Sequence, residues 1–167
     1  MNKKSIFAAA GLIAAVSLSA CDKAATVDKA QVAQDIKANW TKISRDFNEG
    51  DASGATASDA PDVVNMFHGQ PNAVGPEADL ATTKQFIASG PLKESFADET
   101  VDVAQAGDMA VYRAVYRATY TDARTHKAVN ETGNVVTGYK KQSDGSWKIA
   151  WTISADMPAA TQVASKN

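Results

Sequence analysis

The sequence predicts an α+β fold, with about three helices followed by an antiparallel sheet. Three observations carry this. Val32, Ile36, Trp40, Ile43 and Phe47 recur at spacings of four, four, three and four, the single apolar stripe of an amphipathic helix. From Leu92 onward the apolar period changes to two, the alternation of half-buried strands. Three turn signals, Ala106-Gly107-Asp108, the polar run Asp122 to Lys127 and Ser143-Asp144-Gly145, cut that stretch into four segments. Helices first and strands after them make an α+β order.

The first helix starts after Asp28, whose carboxylate can accept from the first free N–H groups, and ends at Gly50. Asp51 can cap a second helix over 52–58, which is weak because Gly54, Thr56 and Ser58 lower its propensity. Pro61 interrupts the chain, and Val63 to Phe67 then reads as a strand. Residues 70–76 are punctuated as a loop by Pro71, Gly75 and Pro76. A third helix covers 78–89, with Leu80, Phe86 and Ile87 on its apolar side and Gly90-Pro91 as its stop. The four strands fall at 93–105, 109–121, 128–141 and 146–156.

Ahead of this domain, residues 1–20 read as a secretory signal. Lys3 and Lys4 precede a short apolar run, Ile6 to Leu18, too short for an ordinary membrane span. The run ends in Leu18-Ser19-Ala20-Cys21, which resembles the lipobox of bacterial lipoproteins. That resemblance implies cleavage before Cys21 and a lipid on its sulfur, hence a membrane anchor facing the periplasm or exterior of the cell envelope. The alternative is a soluble secreted chain with an incidental thiol. Cys21 is the only cysteine, so no intramolecular disulfide can form. Residues 21–27 are a tether, 28–156 the domain and 157–167 a tail. Net charge is −2 for the whole chain and about −4 once Lys3 and Lys4 are removed, so no nucleic-acid partner is expected.

The last hairpin sets an expected register. A three-residue loop with Gly145 in the left-handed position pairs Gln142 with Ser146. By counting, Tyr139 then faces Ile149, Thr137 faces Trp151 and Val135 faces Ile153. In the preceding hairpin, pairing Asp122 with Lys127 sets Tyr112 opposite Thr137 and Tyr116 opposite Gly133. Ala110, Tyr112, Ala114, Tyr116, Ala118 and Tyr120 then look inward. Arg113 and Arg117 look outward, about 13 Å apart along the strand. They are either solvated groups whose stems cover apolar surface or parts of an interface; an anion site is a lesser alternative.

A helix bearing Trp40, a Gly50-Asp51 step, a short helix, a strand, a Gly loop, another helix and a meander ending in Asp144-Gly145-Ser146-Trp147-Lys148-Ile149 together resemble the SnoaL-like, nuclear-transport-factor-two-like superfamily. The segments "GDMAVYRAVYRATYTD" and "GYKKQSDGSWKIAWTISAD" carry most of the likeness. The resemblance implies a curved antiparallel sheet wrapped around the helices, a cone with a pocket. It also implies a homodimer through the outer sheet face, which would give Arg113 and Arg117 an interface role. Members include isomerases, cyclases and hydratases that use an acid or base inside the cone.

The inner face expected on the last two strands, with Thr137, Tyr139, Trp151 and Ile153, has no carboxylate and no histidine. With Trp40 and Tyr112 it suggests a hollow for a small, largely apolar molecule, lined by Trp40, Tyr112, Thr137, Trp151 and Ile153. Catalytic candidates are His68, Tyr112 and Glu131; Asp156 by parity points outward. Core or loop roles are the plain alternatives for all of these. His68 and His126 are too far apart in sequence to suggest a metal site, and no cofactor motif is present. Three functions follow: a binding pocket, an isomerase or hydratase using a pocket acid or base, or an interaction module acting through the outer sheet.

Overall fold

The computed structural model describes residues 27–122 and 125–157. The expected signal segment, Cys21 with its expected lipid, and most of the expected tether and tail lie outside these residues. Among the described residues no helix is long and apolar enough to cross a membrane.

Helix α1 (Lys29–Glu49) begins at Asp28, whose carboxylate accepts from the N–H groups of Ala30 and Gln31 at 3.1 and 3.0 Å. It ends at Gly50 in the left-handed region. Its stripe buries Val32, Ile36, Trp40 and Ile43, each contributing roughly 1.5–3 kcal/mol by removal from water. Trp40 stacks on Tyr112 at 4.9 Å between ring centroids and meets Phe96 edge-on at 5.1 Å, fixing the helix against the sheet. Helix α2 is a single turn, Ala52–Ala55, shorter than the sequence suggests, as its weak formers require.

Strand β1 (Asp59–Met66) begins earlier than expected and runs through Pro61. Pro61 is tolerated because the ladder to its neighbour is broken between Asp59 and Val64. A two-residue strand β2 (Ala73–Val74) pairs with β1 inside what reads as a loop. Helix α3 (Pro76–Ala88) follows, then β3 (Lys93–Val103), β4 (Met109–Thr121), β5 (Ala128–Lys141) and β6 (Trp147–Asp156). The six strands form one mixed sheet in the order β2-β1-β6-β5-β4-β3, with β1 parallel to β6 and the other pairs antiparallel. The α+β class and the meander agree with expectation; the parallel β1–β6 pair is new.

The β4–β5 register is as counted: Tyr112 faces Thr137 and Tyr116 faces Gly133. The β5–β6 register is not. Tyr139 faces Ile149, but Gly138 then faces Trp151, so Ala150 is an extra residue in β6. This bulge reverses the side-chain parity beyond it. Thr137 pairs with Thr152 and Val136 with Ile153, and Thr152 and Ser154 turn inward. The Trp151 indole lies over Gly138, where any side chain would collide with it. Gly138 thus supplies the space that turns Trp151 to the outer face.

Candidate functional site

Between the concave face of the sheet and the helices lies a cavity of about 620 Å³. Trp40, Ile43 and Phe47 of α1 form one wall, and Thr82, Thr83 and Phe86 of α3 another. The sheet contributes Phe96, Val135 and Ile149. Alternation along the strands dictates which side chains enter, so the cavity follows from the register just described.

Three polar features interrupt the apolar wall. The first centres on Glu131 of β5. Its Oε1 accepts from Tyr116 OH and lies 2.9 Å from His68 Nε2, and its Oε2 accepts from Tyr120 OH at 2.8 Å. Gly133 makes this possible: the Tyr116 ring lies flat over it, in space a side chain would fill, which brings the phenol to Glu131. Burial alone would raise the Glu131 carboxyl, but the donors Tyr116, Tyr120 and His68 outweigh it and hold the group below the ordinary carboxylate range. The Tyr120 phenol is pushed up to about 12, first by burial, then by its hydrogen bond to Glu131 and by that group's charge; Tyr116 is raised further for the same reasons.

The second feature is a carboxyl pair, Asp59 of β1 and Asp79 of α3. Burial, followed by the charge and hydrogen bond of Asp79, raises Asp59 to about 8, with Lys148 acting weakly against the shift. Asp59 Oδ2 and Asp79 Oδ1 are buried with no hydrogen-bond partner among the described residues, so a proton retained on Asp59 can bridge to its neighbour. The third is Glu94 of β3, raised to about 7 by burial alone. Asn48 grips its backbone at both the N–H (2.7 Å) and the C=O (3.0 Å), which holds β3 against the end of α1.

Of the expected ligand contacts, only Trp40 lines the cavity. Tyr112 and Thr137 are fully buried in the core beside it, Tyr112 under Trp40 and Thr137 bonded to Thr152 at 3.2 Å. Trp151 and Ile153 stand on the opposite face, Ile153 42% exposed, because of the Ala150 bulge. The same bulge gives Asp156 inward parity, and its charge reaches Tyr116 and Tyr120. His68 and Glu131 meet at the cavity, while Tyr112 stands apart from them. Arg113 pairs with Asp102 on the outer face, and Arg117 is exposed there.

The expectation of a hollow poor in acids is overturned: besides Glu131 of β5, acids arrive from β1, α3 and β3, outside the two strands on which it rested. Tyr116 and Tyr120 were readable, because the β4–β5 register places them either side of Glu131 on one face. Asp59 and Asp79 carry no such signal. Chemically, the Asp59–Asp79 pair can give or take a proton near neutral pH, and Glu131 can orient the His68 imidazole. Among the described residues no cluster of His, Cys, Asp and Glu has the arrangement to hold a metal.

No protein-family model and no curated protein matches this sequence. Solved structures do match it. A ketosteroid isomerase-like protein from Erwinia carotovora atroseptica is 21% identical over 74% of this chain and 95% of its own, with a TM-score of 0.62. A nuclear-transport-factor-two-like protein of unknown function from Pseudomonas putida is 21% identical over 75% of this chain and 87% of its own, with a TM-score of 0.65. A superfamily member from Salmonella enterica serovar Typhimurium is 15% identical over 80% of this chain and 96% of its own, with a TM-score of 0.64. At such identities the likeness carries the fold alone: this chain has the nuclear-transport-factor-two-like cone.

Proposed function

We propose that the chain is an envelope lipoprotein, anchored through Cys21, whose cone binds a small, largely apolar molecule. The observation that carries the binding is the cavity itself, about 620 Å³ and walled by aromatic side chains from α1, α3, β3 and β4. Its size lies within the roughly 300–1,000 Å³ of small-molecule sites, and a mostly apolar wall with a few polar groups is their usual composition. The anchor rests on the basic pair, the short apolar run and the Leu18-Ser19-Ala20-Cys21 sequence.

One preparation tests both parts. The membrane-extracted chain should show the mass of a lipidated Cys21, and it should enhance the fluorescence of the neutral dye N-phenylnaphthylamine. Ala118→Trp, which fills the cavity from β4, should weaken dye binding at least ten-fold, on the order of 1.4 kcal/mol. An unmodified cysteine overturns the anchor. Dye binding that is absent, or indifferent to Ala118→Trp, overturns the pocket.

A second reading, an isomerase or hydratase, is favoured by the contact of His68 with Glu131 inside the cavity. A general base must reach the proton it removes, and His68 held by Glu131 is placed to do so. The enzyme should then exchange the protons next to the carbonyl of cyclopentanone with deuterated water, and His68→Gln should abolish the excess rate. Exchange no faster than buffer alone removes this reading.

A further inference from the structure

The cavity has a one-sided charge. Five carboxyl groups reach it: Asp59 from β1, Asp79 from α3, Glu94 from β3, Asp122 just past the end of β4 and Glu131 from β5. Among its described lining residues there is no lysine or arginine, and His68 is the one basic side chain, already joined to Glu131. The carboxyls differ in what compensates them. Glu131 has three donors, and Asp59 keeps its proton beside Asp79. The Glu94 carboxylate has no hydrogen-bond donor among the described residues, although its backbone is clamped by Asn48. A desolvated carboxylate without a partner is costly, and proteins normally match one with a cation or a hydrogen bond.

The surroundings of Glu94 are aromatic. Phe96 follows two residues later on the same face of β3, and Trp40 meets it edge-on at 5.1 Å. Phe47 adjoins Asn48, the residue that grips Glu94, and also lines the cavity. Aromatic faces attract positive charge through their quadrupole, by about 0.5–2 kcal/mol per contact. A carboxylate that shares one cavity with aromatic rings is the complement of an ammonium group on an apolar body. An anionic ligand would meet five acids, and a neutral alcohol could donate a hydrogen bond to Glu94 but not neutralise its charge.

We propose that the ligand of this cavity is an organic cation, an amine or quaternary ammonium on an aromatic or aliphatic body, with its positive head against Glu94. This rests on the pocket reading above and adds the charge and the anchoring residue. The Glu131 cluster stands further along the same inner face, across β4 from Glu94, since Ala118 pairs with both residues.

Three probes with one ring system separate the possibilities: naphthylethylammonium, naphthylethanol and naphthylacetate, titrated calorimetrically into the full chain at neutral pH. The cation should bind at least ten-fold tighter than the alcohol, and the anion should be the weakest. In Glu94→Gln the cation should fall to the level of the alcohol while the alcohol is unchanged. Equal or tighter binding of the alcohol to the wild-type chain overturns the proposal and leaves the pocket standing. So does a cation preference that survives Glu94→Gln. Failure of all three probes overturns the pocket and this inference together. The wild-type series decides the question even where the variant folds poorly.

Discussion

Asp59→Asn is expected to remove most of the fall in stability that the wild-type domain shows between about pH 4 and pH 8. In the folded chain Asp59 holds its proton up to about pH 8, whereas an unfolded aspartate releases it near pH 4. Between those values the folded state binds more protons than the unfolded state, so stability must decrease as pH rises and level off above about 8. Glu94, raised to about 7, adds a second slope of the same sign that ends about a pH unit earlier. Carboxyls whose values are lowered, Asp46 and Glu131 among them, act oppositely: their contribution is present above the unfolded value and is lost in acid. The domain should therefore be most stable near pH 5, not at neutrality.

Asp59→Asn keeps the shape and supplies an amide N–H to Asp79 in place of the retained proton. At pH 8 the variant should be more stable than wild type by on the order of 3 kcal/mol, less than the full shift implies because the cavity partly hydrates the pair. At pH 5 the two should agree within about 1 kcal/mol, the ordinary scatter of a hydrogen-bond exchange. Urea midpoints at pH 5, 6, 7 and 8 provide the measurement. A wild-type chain whose stability is level or rises over that range, or a variant with the wild-type slope, would show that Asp59 does not keep its proton.

The contrast between what was and was not legible in the sequence has a physical pattern. The stripe of α1 and the alternation of β4 are periodic, and periodicity survives whatever the rest of the fold does. The β4–β5 register was readable because its ends are tied by local polar groups: the Asp122 N–H donates to Lys127 C=O at 2.9 Å, as the turn demands. The β5–β6 register was readable only as far as Ile149, because an inserted residue leaves no local mark, and Ala150 resembles any other strand alanine. That one residue moved Trp151 and Ile153 out of the cavity and brought Thr152 and Ser154 in. The two-residue strand β2 is created by its partner β1, not by its own composition. Asp59 and Asp79 meet only when β1 is parallel to β6 and α3 crosses it, a tertiary fact with no period. His68 and Glu131, 63 residues apart, could be singled out as chemical types, but their contact could not.

Removing the Glu131 carboxylate should have the other large effect, because three donors depend on it. In Glu131→Ala the phenols of Tyr116 and Tyr120 and the His68 ring lose their common acceptor. Leaving a buried donor unpaired costs about 1–3 kcal/mol, and water entering from the cavity offsets part of that, so a net loss of about 2–3 kcal/mol is expected. Glu131→Gln retains an acceptor oxygen and should lose about 1 kcal/mol. The two substitutions differ further in what they report. The Glu131 charge is one of the causes that lift Tyr120 to about 12, and it also raises Tyr116. In Glu131→Gln both phenols should therefore ionise at lower pH than in wild type. They should return only part of the way toward 10, because burial, the larger cause, remains. Ultraviolet titration of the tyrosines distinguishes this from simple loosening, which would bring all four phenols toward 10, including Tyr139, whose rise comes first from its burial. An alanine variant as stable as wild type, or a glutamine variant with an unchanged phenol titration, would mean that the tyrosines do not converge on this carboxylate.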